Sequence, residues 1–142
     1  METNEVSIEM PGLVNAAMAA AEHSYSPYSG FRVGAAILLS NGHMVTGTNV
    51  ENVSYGLTIC AERAALVRAV TQFGPEIRIQ AAAVVNLNHA PSPPCGACRQ
   101  VLAEFMDGDA PFSFPAGIAG AVESKTLPIR ELLPHGFDLQ LK

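Results

Sequence analysis

Two stretches decide how this chain folds: Ile59-Cys60-Ala61-Glu62-Arg63-Ala64-Ala65-Leu66-Val67 and Pro93-Pro94-Cys95-Gly96-Ala97-Cys98-Arg99-Gln100-Val101-Leu102. Between them they hold all three cysteines of the 142 residues. Each cysteine group opens a run with helical character: Ala61, Ala64, Ala65, Leu66, Val67 and Ala69 around Cys60, and Val101, Leu102 and Phe105 after Cys95. The spacing predicts a helix from Cys60 to Val70, with Cys60 and Glu62 on its first turn, and a second from Cys95 to Met106. Cys95 and Cys98, one turn apart, share a face. Zinc with three protein ligands keeps its fourth tetrahedral position for water, whereas a structural site closes that position with another Cys or His. Cys60, Cys95 and Cys98 are therefore read as the ligands of one Zn²⁺ per chain, and Glu62 as the carboxylate that serves the water.

Outward from these helices, Ile77 to Leu87 is a continuous apolar stretch of the kind found in buried strands, stopped by Pro91-Ser92-Pro93-Pro94. Arg32 to Leu39 and His43 to Asn49 read as antiparallel strands joined at Asn41-Gly42. A polar, glycine-containing loop from Val50 to Thr58 leads from the second of them to Cys60. Strand, loop and helix, with metal ligands at the helix N-terminus, thus occur twice, so two helix ends can converge on one metal. From Ser7 to His23, apolar residues at helical spacing predict a first helix despite Pro11 and Gly12. Between Asp107 and Arg130 the interruptions at Pro111, Pro115, Gly117, Gly120 and Pro128 leave only short strands expected, before a helical turn over Ile129 to Leu133.

The length suits a single domain spanning 1–142. Hydrophobic residues make up 49% against 15% charged, and the mean hydropathy of +0.22 is high for so small a protein, which suggests burial in an oligomer. Met1-Glu2-Thr3-Asn4-Glu5 lacks the basic and apolar regions of a secretory signal, and no apolar run is long enough to span a bilayer. An odd cysteine count in ligand-like spacing argues against disulfides, so a cytoplasmic location is expected. A net charge of −5 opposes a nucleic-acid partner, since phosphate binding calls for a basic surface.

Three thiolates around Zn²⁺ carry a net negative charge that opposes ionisation of the water. The N-termini of both helices supply compensating partial charge. Arg63 is placed to add a full one and to hydrogen-bond the sulfurs. By residue type alone it also fits a surface helix arginine. A structural Cys₃His site is the main alternative for the cysteines, but His23, His43 and His135 lie far from them in sequence, and His89, the nearest, stands six residues before Cys95.

The run Asn49-Val50-Glu51-Asn52-Val53-Ser54-Tyr55-Gly56-Leu57-Thr58-Ile59-Cys60-Ala61-Glu62-Arg63, followed by Pro94-Cys95-Gly96-Ala97-Cys98-Arg99-Gln100-Val101-Leu102, closely resembles the short cytidine deaminases. So do Tyr25 to Gly34 and Leu132 to Phe137, so the resemblance spans most of the chain and is weakest from Asp107 to Lys125. It implies a three-layer α/β/α fold with helices on both faces of a mixed five-stranded sheet, assembled as a homotetramer. It also implies hydrolysis of cytidine or deoxycytidine to the uridine nucleoside and ammonia, with zinc-activated water adding at C4 and Glu62 carrying the protons.

By the same resemblance Asn49 and Glu51 bind the ribose 3′-hydroxyl, and Phe31 packs on the pyrimidine. The Ala61 N–H and the Pro93 carbonyl hold the edges of the base, although Pro93 stands where the family often has another residue. Tyr55 and Phe137 reach a neighbouring subunit's site. On residue type alone, Asn49 and Glu51 also fit a solvated strand end, Phe31 ordinary core, and Tyr55 and Phe137 interface core. Two other readings share the zinc motif: a blasticidin-type or other small-molecule aminopyrimidine deaminase, against which Glu51 argues, and a zinc-stabilised interaction module, which needs a fourth protein ligand.

Overall fold

The computed structural model describes residues 10–118 and 120–139. In chain order its elements are α1 (Met10–Ala21), β1 (Val33–Leu39), β2 (Met44–Thr48), α2 (Ala61–Phe73), β3 (Ile79–Asn86), α3 (Gly96–Ala103), β4 (Pro111–Ile118), β5 (Ala121–Pro128) and α4 (Ile129–Leu132), with a 3₁₀ turn over Tyr55–Leu57. The expected start of the first helix at Ser7 lies outside the described residues. Its far end comes at Ala21, two residues short of His23, and Pro11 falls in the first turn, where a missing N–H costs no helical bond.

The strands form one sheet in the order β2-β1-β3-β4-β5. Only β3 and β4 run parallel; the other pairs are antiparallel, so the sheet is mixed as expected. Gly34 through Leu39 are all buried because β1 is covered on both faces. Ala36 and Leu38 point towards α1, where they meet Leu13 and Ala17 together with Ala81, Ala83 and Val85 of β3. Ile37 and Leu39 point the other way, into the larger core with Leu66, Val84, Leu102 and Phe112. The period of two along a strand thus divides one apolar run between two cores. Both faces of the sheet carry helices, the three layers that the sequence implied.

Two glycines set how closely the helices lie. A Cβ on Gly34 would stand 2.6 Å from the backbone nitrogen of Ala21, and one on Gly47 would stand 2.6 Å from the carbonyl oxygen of Ala61. Gly47 therefore lets the N-terminal turn of α2 press on β2, and that turn carries the first half of the site.

The tail differs from the short, interrupted strands expected. β4 and β5 are eight residues each and pair along their whole length, from Pro111↔Pro128 to Ile118↔Ala121. Proline is tolerated because β4 bonds to β3 only at Phe112 and Ser113. Pro115 lies beyond that pairing, where a missing N–H removes no bond to β3, and its carbonyl accepts from Ser92 N at 2.9 Å. The edge strand β5 carries Glu123 and Lys125, charges that discourage pairing with another sheet. None of the described helices is long and apolar enough to cross a membrane.

Candidate metal centre and active site

Cys60 and Cys95 are the N-cap residues of α2 and α3, each extended in backbone (ψ 152° and 162°), so each helix begins one residue after the start that the spacing predicted for it. Their carbonyls accept the first helical bonds, from Ala64 and Arg99, both at 3.0 Å. Their side chains are left free to turn towards each other: the two Sγ atoms are 3.9 Å apart. Cys98, in the first turn of α3 and fully buried, completes a triangle whose sulfurs all lie within 4.8 Å of one another. Tetrahedral zinc with Zn–S bonds of ~2.3 Å needs its sulfurs about 3.8 Å apart, so this donor set fits one Zn²⁺. Among the described residues no histidine joins the cluster, which leaves the fourth position without a protein ligand.

Arg63 donates through Nη2 to Cys60 Sγ at 3.3 Å, and its bonds to the Cys60 and Cys98 sulfurs hold its own proton more firmly. The hydrogen bond from Cys98, with help from Arg63 and Cys95, lowers the Cys60 thiol to about 5, while the Cys60 thiolate and burial push Cys98 far above its ordinary value. The N-termini of α2 and α3 both aim at this negative charge.

Beside the sulfurs opens a pocket of about 210 Å³, lined by Phe31, Val33, Asn49, Thr58, Cys60, Ala61, Glu62, Val84, Ser92, Pro93 and Cys95. Most ligand pockets hold roughly 300–1,000 Å³, so this one favours a single small heterocycle. Glu62 reaches the pocket from the second position of α2 and is only 5% exposed. Burial, reinforced by the charge of Cys60, pushes its carboxyl up to about 7, where it can both take and give a proton near neutral pH.

The sequence carries the same signature as the geometry. Residues 10–113 match the family described as the cytidine and deoxycytidylate deaminase zinc-binding region. This chain belongs to that family. It is 44% identical over 125 residues to a cytidine deaminase of Halalkalibacterium halodurans, covering 88% of this chain and 91% of that one. With a cytidine deaminase of Sporosarcina psychrophila the identity is 40%, over 92% of both chains. The crystal structure of a cytidine deaminase from Burkholderia pseudomallei superposes with a TM-score of 0.78 at 41% identity, covering 92% of this chain and all of that one. A second, from Mycobacterium tuberculosis, gives 0.76 at 38%, covering 94% of this chain and all of that one.

Within this deaminase-family fold, seven of the residues singled out from sequence meet in the pocket wall: Phe31, Asn49, Cys60, Ala61, Glu62, Pro93 and Cys95. Asn49 is 7% exposed and held firmly. Its Oδ1 accepts from Val33 N at 3.0 Å and from Ser24 Oγ, and its Nδ2 donates to the Phe31 carbonyl at 2.8 Å. One amide hydrogen of Asn49 remains for a ligand. As the first residue of α2, Ala61 has an N–H outside the helical ladder, so it is available too.

Glu51 lies past the end of β2 and outside that wall, its carboxylate held by the backbone N–H groups of Tyr28 and Ser29 and by the Ser29 hydroxyl. The Ser29 hydroxyl bond, with the two backbone bonds, keeps its pKa below the ordinary carboxyl value.

Tyr55 and Phe137 also lie outside the pocket, both 72% exposed. The Tyr55 ring meets Tyr28 edge-on with centroids 5.9 Å apart. Phe137 borders a separate groove of about 600 Å³ with Gln100, Arg130 and Leu133. Its segment is better anchored than the broken tail sequence suggested, because Gln100 grips the Phe137 backbone from both sides, each bond 3.0 Å.

Residues that the sequence did not announce complete the site. Val33, Thr58, Val84 and Ser92 add to the pocket wall. Arg99 donates to the carbonyl of Pro94 at 2.7 Å and of Leu132 at 2.8 Å, tying the loop before Cys95 to the last helix. Val33 and Val84 reach the pocket from β1 and β3 and Arg99 reaches Leu132 from α3, placements that the tertiary fold sets and no spacing rule announces.

Proposed function

We propose that this chain hydrolyses cytidine and 2′-deoxycytidine to uridine and 2′-deoxyuridine with release of ammonia, breaking the C–N bond of a cyclic amidine. The observation that carries the reading is the buried Glu62 carboxyl facing a small pocket beside three sulfurs that leave a metal one open position. Cys60, Cys95 and Cys98 would hold a zinc ion, whose Lewis acidity would make water a better nucleophile at neutral pH. Water adds at C4 of the base while Glu62 accepts one of its protons and delivers it to N3; Glu62 then takes the remaining proton from the new C4 hydroxyl and gives it to the amine, which leaves as ammonia as the C4 carbonyl forms, so one carboxyl carries both transfers. Arg63 offsets the negative charge of the sulfurs throughout.

Phe31 packs on the pyrimidine ring, and the Ala61 N–H and the Pro93 carbonyl hold its polar edges. Asn49, through its remaining amide hydrogen, and Glu51 read the sugar 3′-hydroxyl. We further propose a single catalytic domain over 1–142 that acts in the cytoplasm in pyrimidine salvage, as a homotetramer in which Tyr55 and Phe137 approach a neighbour's site. A free nucleoside rather than nucleic acid fits the acidic charge. The deciding experiment incubates purified zinc-loaded protein with cytidine, deoxycytidine, dCMP, adenosine and free cytosine and follows ammonia release. Turnover of the two nucleosides well above the other three is the expected result; preference for any of the others overturns the assignment.

A further inference from the structure

Asn86, the last residue of β3, is 7% exposed and uses every hydrogen-bonding position of its carboxamide. Its Oδ1 accepts from the backbone N–H of Asn88 at 3.0 Å and of Ala90 at 3.2 Å. Its Nδ2 donates to the Ala90 carbonyl and to Ser92 Oγ, both at 2.9 Å. One buried side chain therefore winds the loop that leads to Pro93 and Cys95. Ser92 is fixed from its other side as well, because its backbone N–H donates to the Pro115 carbonyl at 2.9 Å.

Ser92 belongs to the pocket wall. A hydroxyl has one hydrogen to donate and two lone pairs, and Asn86 occupies one of the lone pairs. Among the described residues the hydroxyl hydrogen of Ser92 has no acceptor. Because an amide N–H sits on its oxygen, Ser92 is set to donate to whatever fills the pocket. A ligand oxygen placed there would complete the hydrogen bonding of that hydroxyl, so a ligand with an oxygen acceptor is favoured.

On the reading of the chain as a cytidine deaminase, we propose that Ser92 is a substrate-binding donor to an oxygen of the pyrimidine nucleoside, and that Asn86 is the positioning residue that orients it. The acceptor is either the carbonyl of the base or a sugar hydroxyl. Both are the same chemistry, and deoxy substrates separate them.

The test compares wild type, Ser92→Ala, Ser92→Thr, Asn86→Ala and the Ser92→Ala/Asn86→Ala double variant, each checked for one zinc per chain. Losing one neutral hydrogen bond should raise KM for cytidine about 2- to 10-fold in Ser92→Ala, with kcat little changed. Binding of the product uridine, followed by calorimetry, should weaken by a similar factor. Ser92→Thr, which keeps the hydroxyl, should restore KM. Asn86→Ala should raise KM too, but by less when Ser92 is already Ala, because its effect runs through that hydroxyl. Should Asn86→Ala fail to fold, Asn86→Asp, which loses both Nδ2 donations at unchanged shape, replaces it. If 2′-deoxycytidine or 3′-deoxycytidine escapes the Ser92→Ala penalty, the acceptor is that sugar hydroxyl; if both share it, the acceptor is on the base. An unchanged KM in Ser92→Ala, or Asn86 and Ser92 effects that simply multiply, overturns this proposal while leaving the cytidine assignment intact. A wild-type chain inactive on cytidine overturns both.

Discussion

Gly47 on β2 supports Ala61 at the start of α2 so closely that a Cβ on the glycine would stand 2.6 Å from the Ala61 carbonyl oxygen. The obstructing atoms are helix backbone, which cannot swing aside as a side chain does. A methyl there must lift the turn that carries Cys60, Ala61 and Glu62. Gly47→Ala is expected to destabilise the fold by about 1–3 kcal/mol, as overpacking does, and to weaken zinc binding as well. Gly56→Ala is the control, since nothing lies within 4 Å of its Cβ position. Thermal melts with metal analysis check this; equal zinc retention and equal melting in both variants would remove Gly47 from the construction of the site.

The three sulfurs have no substitute among the described residues, because no histidine joins them. Replacing Cys60, Cys95 or Cys98 singly with Ala should take zinc well below one per chain and lower the melting temperature, since metal bound only by the folded state stabilises it by mass action. Metal content by mass spectrometry decides: a variant with a full equivalent of zinc would contradict the ligand set.

Glu62 is buried and borders the pocket without being one of the sulfur donors. Glu62→Gln preserves shape but cannot shuttle protons, so it should keep its fold and zinc while kcat falls at least ~10²- to 10⁴-fold, the range for loss of a general acid or base. Near-normal turnover would exclude the carboxylate from the chemistry.

Glu51 is held as an anion chiefly by the Ser29 hydroxyl, which keeps its pKa below the ordinary carboxyl value of 4.5. A carboxyl whose folded pKa is depressed contributes stability that is present above the unfolded value and lost as pH falls through the folded one. Wild type should therefore melt above Ser29→Ala at neutral pH, and the gap should close as the pH drops below 4.5. Cytidine KM should rise in the variant if Glu51 reads the sugar. A gap that widens in acid would mean that the hydroxyl does not stabilise the carboxylate.

Most of the catalytic half was legible because its information is local. Cys60 and Cys95 stand where helical periodicity begins, and the strand runs around Ile37 and Val84 show their burial directly. The one-residue offset at each helix start has a simple cause: an N-cap already accepts a helical bond while keeping extended backbone, so periodicity alone counts it as helix. Pro111 and Pro115 concealed β4, because nothing local says that β3 pairs with only two of its residues. Ser92, Asn86 and Gly47 stayed silent for a related reason, since each acts through a neighbour supplied by the tertiary fold. Phe31 and Glu51 were named through the family resemblance rather than through any pattern of their own.

Phe137 presents the remaining question of how the site is completed. Gln100 clamps its backbone, yet its ring is 72% exposed and borders no part of the pocket that holds Glu62. A large aromatic ring held outward by a fixed backbone suits a contact with another copy of the chain, and with Tyr55, equally exposed on the turn before Cys60, it fits the proposed tetramer. If Phe137 serves a neighbour's pocket, chains carrying Glu62→Gln and chains carrying Phe137→Ala should each be impaired alone. Mixed tetramers would contain sites in which an intact Glu62 meets an intact Phe137 from the other chain, so activity should rise on mixing. Native mass spectrometry confirms the exchange of subunits, and ammonia release reads the recovery. Proven exchange without recovery, or a fully active monomer, would show that each chain completes its own site.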